Sequence, residues 1–345
     1  MNLSVCSVDR SASGISFNGK KSSPKTGKVK QFLKSATGIA AGAAVYKTLP
    51  KLIKKITDPY GLKVAESLQN ACKPSDIEAV QAAVKNAFER TGLSANGFKM
   101  HNVNSRESLR ITSKDVGAKI DKVFADKMDK IKKILPEKLT NKLPWTKATS
   151  SSGLGSQMML SEPLRMTMEG KNAFCIAATK DIVVNLEKMP MATFHEMGHA
   201  LNSTKTLGKI LQATAGPLRA LGIPLILAIG LLKRKKADGE KPQGALDKTT
   251  TFVKNNAASL TVAAWAPTLI EEGMASIRAA KMAKAAGLSS DLLKSLNKGN
   301  AKAWSTYLIA AAATAATVKL AIFVKDKIAE SKSKKNNVQP NLKVA

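Results

Sequence analysis

Met191-Ala192-Thr193-Phe194-His195-Glu196-Met197-Gly198-His199-Ala200-Leu201-Asn202 is the stretch from which the rest of the chain can be read. On a helix, His195 and His199 project from one face. That spacing lets both imidazoles reach one tetrahedral Zn²⁺ while Glu196 stands beside the open position. With only 3 His in 345 residues, composition alone would give a His-Glu-x-x-His pattern with odds of roughly one in a thousand. A packed or exposed histidine pair is the bland alternative, and zinc-hydrolase chemistry is the sharper reading.

Upstream, residues 172–179 and 181–186 are rich in apolar and β-branched side chains and predict two short strands joined at Lys180-Asp181. Pro190 suits the first turn of the motif helix, where its missing N–H costs nothing. The expected order is strand, strand, motif helix.

A hydrolytic zinc site usually has three protein ligands, and no histidine follows His199. The third ligand is therefore sought among carboxylates. Asp238, Glu240, Asp247, Asp291, Asp326 and Glu330 mostly stand in Lys-rich polar stretches. Glu271 and Glu272 instead interrupt an apolar run, Trp265 to Ile270 before them and Gly273 to Ile277 after. An unpaired carboxylate is costly there, and a metal would offset the cost. On a helix the two diverge by about 100°, so one faces the metal and the other points to solvent or a basic partner.

With Asn172-Ala173-Phe174, Ile182-Val183-Val184, the His195 to His199 motif and Glu272-Gly273-Met274-Ala275-Ser276 in view, the chain resembles the membrane-associated gluzincins. These are the HtpX-type and CAAX prenyl proteases and the related bacterial membrane zinc peptidases. The resemblance covers roughly residues 160 to 285. It implies a zincin-like core, selects Glu272 with Ala275 over the alternative Glu271, and makes His195, His199 and Glu272 the zinc ligands. The first of these families usually has Asp where this chain has Ser276, while the related bacterial group carries Glu-x-x-Ala-Ser. The implied reaction is peptide-bond hydrolysis with Glu196 as general base, on a peptide lying extended along the hairpin's edge strand. Ser276, Arg278 and Tyr307 are the candidates for supporting a ligand or stabilising an oxyanion.

The net charge of +30 arises from 55 basic residues, eight of them Arg. A Lys-dominated chain with 4% aromatics argues against specific nucleic-acid reading, which favours Arg forks and stacking platforms, and suits an anionic membrane surface. Cys6, Cys72 and Cys175 are scattered and odd in number, so no disulfide framework is expected and a reducing compartment is. No cleaved secretory signal is evident before Gln31.

Residues 1–30 read as a disordered basic tail, 31–150 as a helical N-terminal region, 151–330 as the zinc metallopeptidase domain and 331–345 as a basic C-terminal tail. No acidic residue occurs between Asp9 and Asp58. In the helical region, Ser75 with Glu78 has the form of a capping box, and the helix it opens should end near Gly92. A second helix is expected from Asp115 to Pro136, with His101 on the surface in the polar connection. The loop-like stretch 144–157 marks a boundary.

Apolar segments 36–45, 217–232, 257–270 and 303–324 are helices that could enter a membrane, although none is an unambiguous span of about 20 apolar residues. Lys233-Arg234-Lys235-Lys236 flanks the second. The expected fold is thus α+β, mainly helical, and membrane-associated, with Zn²⁺ as cofactor and a peptide or protein as substrate. The competing class is a non-catalytic Lys-rich membrane or scaffold protein with a structural or degenerate zinc site. A non-specific polyanion binder is the third.

Overall fold

The computed structural model describes residues 58–134 apart from 68, residues 154–232 and 244–337, and a few positions between 39 and 51. The expected N-terminal tail, most of segment 36–45 and residues 338–345 of the expected C-terminal tail fall outside the described residues, while residues 331–337 belong to the helix Ser290–Asn337. Helices dominate, with one small three-stranded sheet. The chain divides into two compact units. Among the described residues the first holds Asp58–Ala213 with Pro267–Tyr307, and the second holds Thr214–Ala266 with the residues from Leu308 onward.

In the first unit, helical residues 58–67 precede a 3₁₀ turn, Pro74–Asp76, which runs into α1 (Ile77–Arg90). The Ser75 capping box does not form. Pro74 starts the 3₁₀ turn one residue earlier, so Ser75 lies within it and its hydroxyl bonds Asp76 instead. Gly92, at φ 67°, ends the helix where expected. Strand β1 (Lys99–Asn102) follows, and then α2 (Arg106–Ile134), which begins nine residues before the expected Asp115. Ser105 is the missed start signal: its Oγ accepts the Ser108 N–H at 3.2 Å, an N-cap bond. Next come α3 (Leu154–Met168), β2 (Phe174–Ile176), β3 (Asp181–Val184) and the motif helix α4 (Pro190–Thr204).

The hairpin is present with shorter strands than the sequence suggested: β2 and β3 pair antiparallel, and Lys180 turns the chain at φ 59°. The sheet order is β1-β3-β2, with β1 added parallel to β3. Because side chains alternate across a strand, β3 feeds two cores. Ile182 and Val184 join Val80, Val84, Phe194 and Met197 on one face. Val183 joins Val116, Leu160 and Leu164 from α2 and α3 on the other. The motif helix is therefore seated on the sheet by buried apolar side chains.

His101 is not a free surface residue. It lies in β1, and its Nε2 is 2.8 Å from Asp181 Oδ1, which also accepts from Lys119 Nζ at 2.6 Å. The sequence hid this pairing because β1 and β3 are 80 residues apart and meet only through a parallel crossover.

The remaining elements are α5 (Thr206–Pro217), a π turn (Leu218–Gly222), α6 (Ile223–Leu231), α7 (Gly244–Ala285) and α8 (Ser290–Asn337). In the second unit, small residues let helices approach: a Cβ on Gly230 would collide with Ile322. Ala257, Ala311, Val318 and Ala321 are buried, and the Arg219 guanidinium lies 4.8 Å from the Trp265 ring centre. Two helical stretches, Thr206–Leu231 and Ser290–Ser331, are long and apolar enough to cross a membrane. Segment 257–270 lies within α7, which is not one of the two.

Burial, the strongest influence on the Asp181 carboxyl, pushes its pKa up, but the bonds from His101 and Lys119 outweigh it and hold the group below its usual value. A depressed folded-state pKa gives stability that is complete above the unfolded value of about 4 and is lost as pH falls through the folded one. Asp181→Asn should therefore cost about 1–3 kcal/mol at pH 7 in urea unfolding, with the difference shrinking below about pH 4. A pH-independent difference would contradict this role.

Candidate metal centre

Helix α4 carries His195 and His199 one turn apart, with ring centres 4.7 Å apart at 85°. Both Nε2 atoms point at the same place, 3.0 Å from each other. From α7, Glu272 Oε2 comes within 3.2 Å of His195 Nε2 and 3.5 Å of His199 Nε2. Ligands about 2.0–2.1 Å from a tetrahedral ion stand about 3.4 Å from one another, so the three atoms outline one face of such a site.

Their neighbours decide what can sit there. The His199 Nδ1–H donates to Glu271, 2.9 Å to Oε1. His195 Nδ1 lies 3.4 Å from Ser276 Oγ, whose own proton goes to the Glu272 carbonyl at 3.0 Å. With both Nδ1–H groups used as donors, both Nε2 atoms present lone pairs. These two lone pairs and the Glu272 carboxylate can share one cation; with none bound, a proton on His199 serves instead, since burial lowers the His199 pKa but Glu272 and Glu271 raise it well above its usual value. His195, His199 and Glu272 are the group among the described residues that could hold a metal ion.

Glu271 does not point to solvent. It is buried, with His199 as its basic partner. Asn202 Nδ2 donates to Glu271 Oε1 at 2.9 Å, and Gln212 Nε2 does so at 2.8 Å while also reaching the His199 carbonyl at 3.0 Å. The alternative third ligand is thus a supporting carboxylate, as is common behind metal-bound histidines. Sequence reasoning missed Asn202 and Gln212. Asn202, seven residues after His195 on the same face of the motif helix, was the readable signal; Gln212 had none.

The helices meet so closely because of two small residues. A Cβ on Gly198 would collide with the Ala275 carbonyl and backbone. Gly198 within the motif and Ala275, three residues after Glu272, together allow the α4 and α7 backbones to touch. Helix α8 is tied to the same helix by Trp304 Nε1 donating to the Leu269 carbonyl at 2.9 Å.

Electrostatics follow from this packing. Burial pushes Glu272 up, but His199 and His195 outweigh it and hold its carboxyl well below the usual carboxylate range. Glu271 is lowered for the same reason, against its burial, by His199 with help from Asn202 and Gln212. Glu196, only 4% exposed, is pushed up to about 7 by burial; His199 and His195 oppose the rise, and Glu272 and Glu271 add to it. One carboxyl is thereby tuned toward proton transfer near neutral pH, and two stay ionised.

Of the three supporting candidates, Ser276 meets His195, and the Tyr307 hydroxyl lies within hydrogen-bonding reach of Glu272. Among the described residues no hydrogen bond or ion pair joins Arg278 to the cluster. Six residues past Glu272, it has turned about 240° round α7 and faces elsewhere.

Ser276→Ala and Glu271→Gln should each weaken metal binding roughly 10–100-fold, measured by Zn²⁺ titration against a chromophoric chelator. Unchanged affinity in both variants would contradict the supporting roles assigned here.

Comparison with known proteins adds no relative: no family model matches the chain, no curated protein matches it, and no solved structure does.

Proposed function

We propose that the chain is a membrane-associated zinc metallopeptidase of gluzincin type. The observation that carries the proposal is the convergence of His195 Nε2, His199 Nε2 and Glu272 Oε2 within 3.5 Å of one another beside the buried Glu196. Two imidazoles and one carboxylate suit Zn²⁺, and a His₂Glu set with an open position is a catalytic pattern. When bound, the ion would polarise the scissile carbonyl and acidify water.

The chain's own residues supply the rest. Glu196, with its carboxyl near neutrality, accepts a proton from the attacking water and delivers it to the leaving amine. Ser276 and Glu271 fix the ring orientations of His195 and His199, while Asn202 and Gln212 hold Glu271 in turn. Among the described residues strand β2 pairs only with β3, and its outer edge can take an extended peptide by main-chain hydrogen bonding. Tyr307, held against Glu272, is the nearer of the two oxyanion candidates.

Membrane attachment is supported by apolar surface that the described residues do not cover. Only 22% of the apolar window in Thr206–Leu231 and 33% of that in Ser290–Ser331 is buried, whereas a core helix would be mostly enclosed. Leu221, Leu225, Phe252 and Phe323 are each more than half exposed. Lysine at the ends of such helices complements anionic headgroups.

Purified protein should carry about one zinc per chain, and His195→Ala with His199→Ala should lose it. Glu196→Gln should keep the zinc and lose peptide hydrolysis. Zinc without cleavage of any peptide in the wild type would favour instead the non-catalytic protein with a structural site; a fully active Glu196→Gln would remove the general base from the scheme.

A further inference from the structure

Beside the metal cluster lies a cavity of ≈ 380 Å³ whose position and charge suggest what the substrate carries. One wall is Ala177 and Ala178, which continue the chain from the end of β2. Ser203 and Thr204, in the last turn of the motif helix, line the cavity too. Gln212 also lines it, with its amide on Glu271 and on the His199 carbonyl. A peptide paired along the outer edge of β2 and continued past Ile176 runs into this cavity.

Its distance from the reacting centre can be reckoned along the helix. Ser203 is four residues beyond His199, about 6 Å along the axis. An extended peptide advances about 3.3 Å per residue. For a peptide running along the α4 axis, the cavity would meet the side chain about two residues from the scissile bond.

Its chemistry is one-sided. The side chains of Ala177 and Ala178 are small and leave the space open, and the cations Lys180 and Lys209 line it with no acidic residue among the lining groups. Lys180 is fixed in place: it sits at φ 59° in the turn, and its Nζ donates to the Asn96 carbonyl at 2.8 Å, with its remaining protons available to a ligand. Lys209 is exposed on α5, one turn from Gln212. A carboxylate placed between these two ammonium groups would gain two charge-assisted contacts at the edge of a partly desolvated cleft.

We propose that this cavity is a substrate subsite for an acidic side chain, Asp or Glu, about two residues from the scissile bond. The proposal rests on the metallopeptidase reading above. It differs from the attraction that any +30 chain exerts on acidic peptides, because general charge acts at every peptide position alike and a subsite acts at one.

The test uses the full-length zinc-loaded protein and a peptide library in which a single Asp is moved through the positions flanking the cleaved bond. Cleavage should favour Asp at one position by about tenfold in kcat/KM. Lys209→Met should abolish that preference and Lys209→Glu should turn it toward Lys at the same position, with zinc per chain unchanged in both. Cleavage with no positional preference, or a preference that survives in both Lys209 variants, overturns the subsite and leaves the peptidase reading standing. If neutral and acidic peptides alike stay uncut by zinc-loaded wild type, the peptidase reading fails and the subsite with it.

Discussion

Helix α4 at Gly198 and helix α7 at Ala275 touch backbone to backbone, and the candidate centre depends on that contact. Neither residue has chemistry of its own. Their smallness sets the distance between two helices, and that distance lets a short Glu272 side chain reach two imidazoles on the neighbouring helix. A methyl group on Gly198 would push the helices apart and break the geometry without altering any ligand. Beneath α4, the buried face of β3 supplies the platform, so the hairpin and the motif helix hold their relative positions as one packed body.

The second constraint is charge. Ionised carboxylates and imidazoles are costly to bury, and here five such groups share a small volume: His195, Glu196, Glu271 and Glu272 are buried and His199 is partly so. The arrangement divides them into roles. Glu271 fixes His199 and is itself satisfied by Asn202 and Gln212; Ser276 fixes His195; Glu272 and the two Nε2 atoms are left facing one another, an arrangement that could hold a cation. Glu196, on the same helix and outside that bonding scheme, is raised toward neutrality by burial. The environment thus separates two ionised carboxylates from one that can exchange a proton.

How much of this was readable depended on whether each interaction is local in sequence. The His195, Glu196, His199 spacing and the β2–β3 hairpin are local patterns, and they stand where the residues put them. Glu272 was singled out by its apolar context and by resemblance, and the structure brings it to the two histidines. The companion Glu271 was read as turned outward or paired; its burial could not be seen, because it depends on Gln212, 59 residues away. The same holds for His101, whose strand is defined by a partner 80 residues on. Local chemistry misled at Ser75, where a proline shifted the helix start, and was overlooked at Ser105, where a plain serine caps α2. Segment 257–270 looked as apolar as its neighbours, yet it belongs to a helix with polar residues spread along its length.

The central claim is that His195, His199 and Glu272 hold one zinc ion with a position left for water. X-ray absorption at the zinc edge of the purified, zinc-loaded protein tests it most directly. Four light ligands at about 2.0–2.1 Å are expected, two of them with the multiple-scattering signature of imidazole. A sulfur shell at about 2.3 Å, or a spectrum without imidazole scattering, would contradict it.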